Sequence, residues 1–276
     1  MQTDVGALRK MTAQLGENGQ VNYQLPIGEQ LLPLNELIGK KLTLQYHQHI
    51  SCSHCGRKTK KSFSQGFCYP CMQKLAQCDM CIMKPETCHY EQGTCREPQW
   101  GETHCFIPHY VYLANTSGLK VGITRHSQVP TRWIDQGATQ ALPIFKVNTR
   151  LQSGLVEIAL AEFIADKTNW RTMLKGNAEP IDLKEKAQQL IPQISEKLDS
   201  IRLKFGENAI EQLNENVVQL QFPVEEFPKK ITSFNFDKSA EVAGTLIGIK
   251  GQYLLFDTGV INIRKFSSYH IQASVN

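Results

Sequence analysis

Nine cysteines, all between Cys52 and Cys105, are the residues of this chain whose type and spacing most clearly predict chemistry. The first four are two C-x2-C pairs separated by twelve residues: Cys52, Cys55, Cys68 and Cys71. Each pair presents two sulfur atoms from one tight turn, and two such pairs can surround one ion as a tetrahedral zinc site. An odd number of cysteines fits a closed set of disulfides poorly, and reduced thiols favour metal. We therefore predict structural zinc at these four residues.

The remaining cysteines form a second group that follows directly. Its predicted metal ligands are Cys78, Cys81, Cys88 and Cys95. Four neighbouring side chains compete with them, because imidazole and thiolate both suit zinc. The competing side chains are His89, His104, Cys105 and His109. Four cysteines also ligate iron–sulfur clusters, so the spacing leaves this second metal centre open between zinc and such a cluster.

Basic residues are unevenly distributed along the chain. The loop between the first two cysteine pairs carries Arg57, Lys58, Lys60 and Lys61, which predict either a phosphate-contacting loop or a solvated face that aids solubility. Lys and Arg outnumber Asp and Glu by 8 to 5 over residues 111–179 and by 6 to 3 over residues 229–276, whereas residues 180–228 carry 5 against 9. A polyanion such as DNA or RNA is therefore expected to meet the basic segments.

The overall composition is that of an ordinary globular protein. Hydrophobic residues make up 41% and charged residues 20% of the 276 residues, enough for a hydrophobic core and more than one domain. No apolar run approaches the roughly 18 residues of a membrane-spanning helix. The N-terminus also lacks the pattern of a secretory signal. We expect a cytoplasmic protein with no membrane among its partners.

Five segments are predicted, and together they give an α+β fold. They are a β-rich N-terminal segment (1–50), a Cys-rich module (51–108), a mixed domain (109–179), a helical segment (180–228) and a small C-terminal β domain (229–276). The N-terminal strands are candidates to complete the C-terminal sheet. In the helical segment, Leu190, Ile194, Leu198 and Ile201 predict one packing face.

The mixed domain has a predicted ββαβα order. Its elements are a hairpin of strands 109–114 and 119–124, a helix beginning at Pro130, a strand over 141–148 and a helix over 154–167. The last helix is expected to carry Glu157 in its first turn, where a carboxylate is favourable for the helix dipole.

Residues on these elements resemble the GIY-YIG nuclease family over about residues 109–175. Tyr110-Val111-Tyr112 stands where the family has its first motif, and Lys120-Val121-Gly122 stands where it has its second. Arg132 falls where the catalytic arginine lies in the family, and Glu157 falls where the metal-binding glutamate lies. The resemblance implies a small domain, built on a mixed sheet, whose side chains cleave phosphodiester bonds.

The resemblance also implies roles for individual side chains. Arg132 would stabilise charge on the phosphate oxygens through bidentate hydrogen bonds. Glu157 would hold one Mg²⁺ or Mn²⁺ ion, since these hard cations prefer oxygen ligands. Tyr112 would act as the base or position the attacking water, and Lys120 or Arg125 would contact the phosphodiester backbone. For the family's late polar residue, Asn169 and Asn177 are the candidates.

Taken as a whole, the chain is also similar to an uncharacterised family of bacterial and archaeal proteins. The resemblance rests on CHYEQGTCREPQWGE, GLKVGITR, PTRWIDQGA and IKGQYLLFDTGVINIR. We therefore hypothesise a zinc-binding, nucleic-acid-binding protein that contains a divalent-metal endonuclease site. The alternatives are a non-catalytic DNA- or RNA-binding module and an iron–sulfur or redox-sensing protein.

Overall fold

A computed structural model describes residues 1–276 and shows an α+β fold with three sheets, which confirms the predicted fold class. The strands are β1 Gly6–Ala7, β2 Thr12–Leu15, β3 Val21–Ile27, β4 Gln30–Pro33, β5 Lys41–Ile50, β6 His109–Asn115, β7 Leu119–Arg125, β8 Gln140–Val147, β9 Ile210–Gln212, β10 Val218–Gln219, β11 Glu241–Lys250, β12 Tyr253–Phe256, β13 Gly259–Asn262 and β14 Tyr269–Val275. The α-helices are α1 Tyr69–Lys74, α2 Met80–Met83, α3 Pro98–His104, α4 Thr131–Asp135, α5 Arg150–Ala161, α6 Trp170–Met173, α7 Leu183–Leu190 and α8 Ser195–Phe205.

Strands from both ends of the sequence form the largest sheet, in the order β1-β14-β5-β11-β12-β13. Strand β5 pairs antiparallel with β11 on one side and with β14 on the other. Along β14 every second residue is buried, as expected for a strand with one face on a core. This sheet and the β2-β3-β4 sheet enclose a common core of 33 buried residues.

The central sheet is built around the β6–β7 hairpin and has the order β10-β8-β6-β7, with β9 also paired to β8. The elements β6, β7, α4, β8 and α5 follow one another in the predicted ββαβα order. Helices α5, α7 and α8 pack on this sheet and share with it a second core of 19 buried residues. This arrangement places α5 against β6 and β7, next to the hairpin.

Helix α5 begins four residues earlier than predicted, at Arg150, and this changes the position of Glu157. The Thr149 hydroxyl accepts a hydrogen bond from Gln152 N, and Gln152 Oε1 accepts one from Thr149 N. This capping box fixes the start of the helix. Glu157 is therefore the eighth helical residue and not part of the first turn, so the expected favourable effect of the helix dipole was wrong.

The predicted packing face of the helical segment is present, but the helices end earlier than the pattern indicated. Leu190, Ile194, Leu198 and Ile201 are all buried in the second core. Helix α8 ends at Gly206, whose φ of 96° is readily adopted only by glycine. Beyond it, β9 and β10 pair with β8 instead of continuing a helix.

The Cys-rich segment, residues 51–108, contributes no residue to any of the three hydrophobic cores of the protein. It consists of α1, α2, α3 and short 3₁₀ turns, including one at Pro85–Thr87. A segment without its own core needs another source of folding free energy, and a bound metal is the usual one. No helix anywhere in the chain has both the length and the apolar character needed to cross a membrane.

Candidate functional site

The first four cysteines converge as predicted and form a four-thiolate cluster that could hold a metal ion. The sulfur atoms of Cys52, Cys55, Cys68 and Cys71 all lie within 4.8 Å of one another. The sulfurs of Cys55 and Cys68 are 3.7 Å apart. A zinc–sulfur bond of about 2.3 Å places the corners of a regular tetrahedron about 3.8 Å apart. The cluster therefore has the size of a zinc site, and its donor set is also compatible with iron–sulfur chemistry.

Two local turns produce this cluster. Gly56 has a φ of 71° and donates its N–H to the carbonyl of Cys52, which closes the first turn. Cys68 precedes α1, and Cys71 lies inside it. Burial acts to raise the pKa of Cys52, but backbone N–H groups of Cys55, Cys68 and His54 lower it to about 6. That thiol is consequently ready to bind a cation as thiolate at neutral pH.

The second group of cysteines is arranged differently from the predicted set. Cys81, Cys88 and Cys95 line one small cavity, but the fourth cysteine there is Cys105, which was a competing ligand. Cys78 lies outside this cavity, beside Ser64 and Arg96, where burial raises the pKa of its thiol. All nine cysteines are free of disulfide bonds.

Of the three competing histidines, only His89 lines this cavity. His104 stacks on Trp100 at 4.2 Å and its Nδ1 lies 3.0 Å from the carbonyl of that residue. His109 is buried at the start of β6, where burial lowers its pKa to about 4, and its Nδ1 lies 2.7 Å from Ile107 O. Neither of these histidines belongs to a group of ligand atoms within 4.8 Å of one another.

Tyr112 and Gly122 face each other across the β6–β7 hairpin. A Cβ atom on Gly122 would lie 2.6 Å from Tyr112 Oη, so the glycine leaves room for the tyrosine ring. The hydroxyl donates a hydrogen bond to Gln136 Oε1 at 2.9 Å. Burial raises the pKa of Tyr112 to about 12, although the Arg132 guanidinium acts against it. A fully buried hydroxyl with a raised pKa is protonated at neutral pH, which disfavours the predicted role of Tyr112 as a base.

Glu157 lies on α5 near three cationic side chains. Burial, together with the nearby Asp166, raises the pKa of its carboxyl to about 7. The cations of Lys120, Arg132 and Arg150 all act to lower it. None of the three forms an ion pair with Glu157 within 4 Å, and the carboxylate accepts no hydrogen bond from any residue of the chain. The Glu157 carboxylate and the three cations thus lie near one another without forming ion pairs.

Arg132 is not consumed by a structural ion pair. Its neighbour on α4, Asp135, instead accepts hydrogen bonds from Lys10 Nζ at 2.9 Å and from Gln252 Nε2 at 2.8 Å. Arg132 therefore forms an ion pair with neither Asp135 nor Glu157. Its guanidinium lies beside the Tyr112 hydroxyl, and its positive charge acts to lower the pKa of Lys120 and of Arg264.

Lys120 is the most buried cation of this group, with 4% of its surface exposed. Burial, together with the nearby Arg132, lowers its pKa to about 8, while Glu157 and Asp166 act in the opposite direction. Its ammonium group has no hydrogen-bonding partner in the protein. We call the set Lys120, Arg132, Arg150 and Glu157 the charged cluster.

Two members of this neighbourhood, Arg150 and Asp166, were not predicted from the sequence. Arg150 opens α5, and its side chain donates to Ile82 O in the Cys-rich segment. Asp166 follows the Ala165 carbonyl, which accepts a hydrogen bond from Val121 N at 2.9 Å beside Lys120. The candidates for a late polar residue are structural instead. Asn169 caps α6, and Asn177 accepts a hydrogen bond from Lys250.

The predicted basic loop lies on a different surface. Lys60 and Lys61 line an open groove of about 670 Å³, together with Lys238 and Lys265 from distant parts of the chain. Arg57 and Lys58 are exposed on the same loop but do not line the groove. Arg125, at the end of β7, instead lies near Arg150, His109 and Cys105.

Comparison with known protein families identifies the chain. A family profile matches residues 39–271, from just before β5 into β14. The chain belongs to this family, which is described as protein of unknown function (DUF2797). Neither the curated proteins nor the solved structures contain a match to it. The matched region of the DUF2797 family includes the cysteine clusters and the whole charged cluster.

The contact between Gly122 and Tyr112 gives a first prediction for this DUF2797 protein. Gly122→Ala is expected to lower the free energy of unfolding by about 1–3 kcal/mol, because an added Cβ would overlap a fully buried ring. Gly176→Ala is the matched control, since nothing lies within 4 Å of its added Cβ. Urea unfolding of both variants measures the effect. Equal stability of the two would contradict this account of the glycine.

The carboxyl of Glu157 gives a second prediction. Its pKa is about 7 in the folded protein and near 4.5 when unfolded, so the unfolded chain binds fewer protons between these values. Wild-type stability should therefore fall as the pH rises from 4.5 to 7. The neutral Glu157→Gln avoids this cost, and at pH 8 without divalent cations it should be more stable by about 3 kcal/mol, since each pKa unit between 4.5 and about 7 corresponds to 1.36 kcal/mol.

Thermal unfolding at pH 5 and pH 8 in the presence of a chelator checks this result. Glu162→Gln is the matched control, because Glu162 is an exposed carboxylate at the end of the same helix and its ion pair with Lys197 is also exposed, where such pairs contribute little. It should change stability by less than about 0.5 kcal/mol at either pH. A Glu157→Gln protein no more stable than wild type at pH 8 would show that the buried carboxylate carries no such cost.

Proposed function

We propose that this protein binds nucleic acid and cleaves phosphodiester bonds with a divalent cation held at Glu157, while zinc at its first four cysteines stabilises the Cys-rich segment. The observation that carries the proposal is the charged cluster, in which a half-buried carboxylate and three cations, one of them the buried Lys120, lie together without ion pairing. Unpaired buried charges are costly to a fold and are common where a ligand completes them. The resemblance of β6, β7, α4 and α5 to the GIY-YIG family supports the same chemistry.

The donor set fits a divalent cation and a phosphate together. The Glu157 carboxylate is a hard oxygen ligand, and Asp166 lies close enough to raise its pKa. When bound there, Mg²⁺ or Mn²⁺ would activate a water molecule and neutralise charge on the phosphate. Arg132 has a free guanidinium that can form two parallel hydrogen bonds to phosphate oxygens. Arg150 adds a second positive charge on the same side of Glu157.

Lys120 is better suited than Tyr112 to move a proton in this site. Its pKa of about 8 is near neutrality, where proton transfer is most effective, whereas the pKa of Tyr112 is about 12. Lys120 could accept a proton from the attacking water or donate one to the leaving oxygen. Tyr112 holds the end of α4 through its hydrogen bond to Gln136, and so positions Arg132.

The lysine-lined groove supports the nucleic-acid part of the proposal. Lys60, Lys61, Lys238 and Lys265 come from sequence positions up to about two hundred residues apart, yet the fold brings them to one surface. Clustered lysines on one face attract the phosphate backbone without regard to base sequence. Binding through them is therefore expected to weaken steeply with salt.

The proposal is tested with full-length protein, supercoiled plasmid and single-stranded RNA, with Mg²⁺ or Mn²⁺ or with a chelator. We expect nicking that requires the divalent cation and is lost in Glu157→Gln, which retains nucleic-acid binding. The double variant Lys60→Ala, Lys61→Ala should weaken binding, whereas Lys74→Ala, an exposed lysine outside the groove, should not.

Three results would overturn part or all of this proposal. Salt-sensitive binding without cleavage by wild type would make the protein a non-catalytic binding module. Cleavage that survives in Glu157→Gln would place any hydrolysis elsewhere. Absence of both binding and cleavage would remove the nucleic-acid proposal altogether.

A further inference from the structure

The second cysteine cluster occupies its own cavity in the Cys-rich segment. Cys81, Cys88, Cys95 and Cys105 line this cavity, each contributed by a different local element. Cys81 lies in α2, Cys105 follows α3, and the other two lie in the loops between those helices. Aromatic side chains of Tyr90, Trp100 and Phe106 form much of the remaining wall. Four thiols thus line one cavity whose walls are mostly apolar, without disulfide bonds.

A different set, Asp79, Cys81 and His89, brings its ligand atoms within 4.8 Å of one another, closer than any three of the four thiols, but its polar atoms are already engaged. Asp79 pairs with Arg96 at 2.6 Å and caps α2 by accepting a hydrogen bond from Cys81 N. His89 Nδ1 lies 2.7 Å from Thr94 Oγ1. The Asp79 carboxylate would have to leave Arg96 to bind a metal, whereas the four thiols have no competing ion pair.

The cavity is small, about 20 Å³, which is room for one water molecule or one ion. Four soft thiolates in apolar surroundings select a soft metal and exclude Mg²⁺ or Ca²⁺. No three of the four sulfur atoms lie within 4.8 Å of one another in this structure, so the side chains would draw together to close on a single ion.

We infer that Cys81, Cys88, Cys95 and Cys105 bind a second soft metal ion, with zinc the expected occupant. This inference does not depend on hydrolysis at Glu157, and it leaves Cys78 as the one cysteine outside both centres. The ligands are therefore not the first four cysteines of this group in sequence order. Cys78 begins the group but lies nearer to Ser64 and to the first four-thiolate cluster.

The second centre also braces the helix that carries Glu157. Between Cys81 and Cys88, the Pro85–Thr87 turn packs so closely on α5 that a Cβ on Gly154 would lie 2.6 Å from Pro85 Cβ. The carbonyl of Cys105 accepts a hydrogen bond from Arg150 N at 2.7 Å. A metal bound here would therefore fix the start of α5 and the position of Arg150.

The first test uses the wild-type protein and needs no variant that could misfold. Native protein purified without oxygen is treated with iodoacetamide, and each cysteine is followed by peptide mass spectrometry. We expect Cys78 to be modified while the other eight are protected, and all nine to react after metal is removed with a chelator in denaturant. Rapid modification of Cys105 with protection of Cys78 would overturn the assignment.

The second test compares metal content in Cys105→Ala and Cys78→Ala. Mass spectrometry and elemental analysis should find two metal ions per wild-type chain, two in Cys78→Ala and one in Cys105→Ala. Iron with acid-labile sulfide in place of the second zinc would support the same four ligands around an iron–sulfur cluster. One metal ion in wild type and in both variants would overturn the inference, as would loss of the second ion from Cys78→Ala alone.

Discussion

Cys55→Ser is expected to remove one zinc ion and to lower the free energy of unfolding by about 4 kcal/mol or more, since loss of a structural metal is among the largest single-residue effects. Cys55 is exposed, so its replacement removes a metal ligand without opening a cavity in a core. The Cys-rich segment has no hydrophobic core of its own to compensate. We expect residues 51–105 to become sensitive to proteases, while the β1-β14-β5-β11-β12-β13 sheet remains folded.

The matched control is Cys78→Ser, which replaces a thiol outside the first cluster. It should keep the zinc of that cluster and change stability by less than about 1 kcal/mol. Zinc content, thermal unfolding and limited proteolysis of the two variants together measure the difference. Equal zinc content and equal melting temperatures would show that Cys55 is not a metal ligand.

Arg132→Lys is expected to lower the rate of plasmid nicking by about 10²–10³-fold, the effect of losing one preorganised donor to a transition state. Lysine retains the positive charge but cannot form two parallel hydrogen bonds to a phosphate. Binding of the plasmid should change little, because the lysine-lined groove is intact. The loss should therefore be confined to the cleavage step under single-turnover conditions.

Arg171→Lys is the control for this substitution. Arg171 is also a helical arginine, but its guanidinium lies over the Trp170 ring at 4.3 Å, and nothing places it near Glu157. It should nick at the wild-type rate. If Arg132→Lys also nicks at that rate, the guanidinium plays no part in phosphate chemistry and the role proposed for Arg132 is wrong.

Features that depend on neighbouring residues in the sequence were predictable. The spacing of Cys52, Cys55, Cys68 and Cys71 predicted a cluster that the structure contains. Alternating residues around Asn115-Thr-Ser-Gly118 predicted the β6–β7 hairpin, since turn chemistry and strand pattern are both local. The start of α5 was also encoded locally, by Thr149 and Gln152, but that capping signal was overlooked.

Features that depend on the packing of distant elements were not predictable. Arg150 and Asp166 have no motif of their own and reach Glu157 only because α5 and the chain after it pack on β7. Likewise, sequence spacing favoured Cys78 over Cys105, because a C-x2-C pair resembles a zinc knuckle. Only the fold shows that α3 returns Cys105 to the cavity of Cys81.

The pairing of β5 determines the order in which this chain can fold. Thr43 of β5 pairs with Ala243 of β11, so the two residues are separated by 200 positions in the sequence. Contacts between residues so far apart in the sequence form slowly, because closing a long loop costs entropy before any hydrogen bond between the strands can form. During synthesis both edges of β5 therefore stay unpaired until most of the chain has left the ribosome. The Cys-rich segment and the β6–β7 hairpin can assemble meanwhile. The supply of metal is therefore expected to influence the yield of folded protein before the β1-β14-β5-β11-β12-β13 sheet has formed.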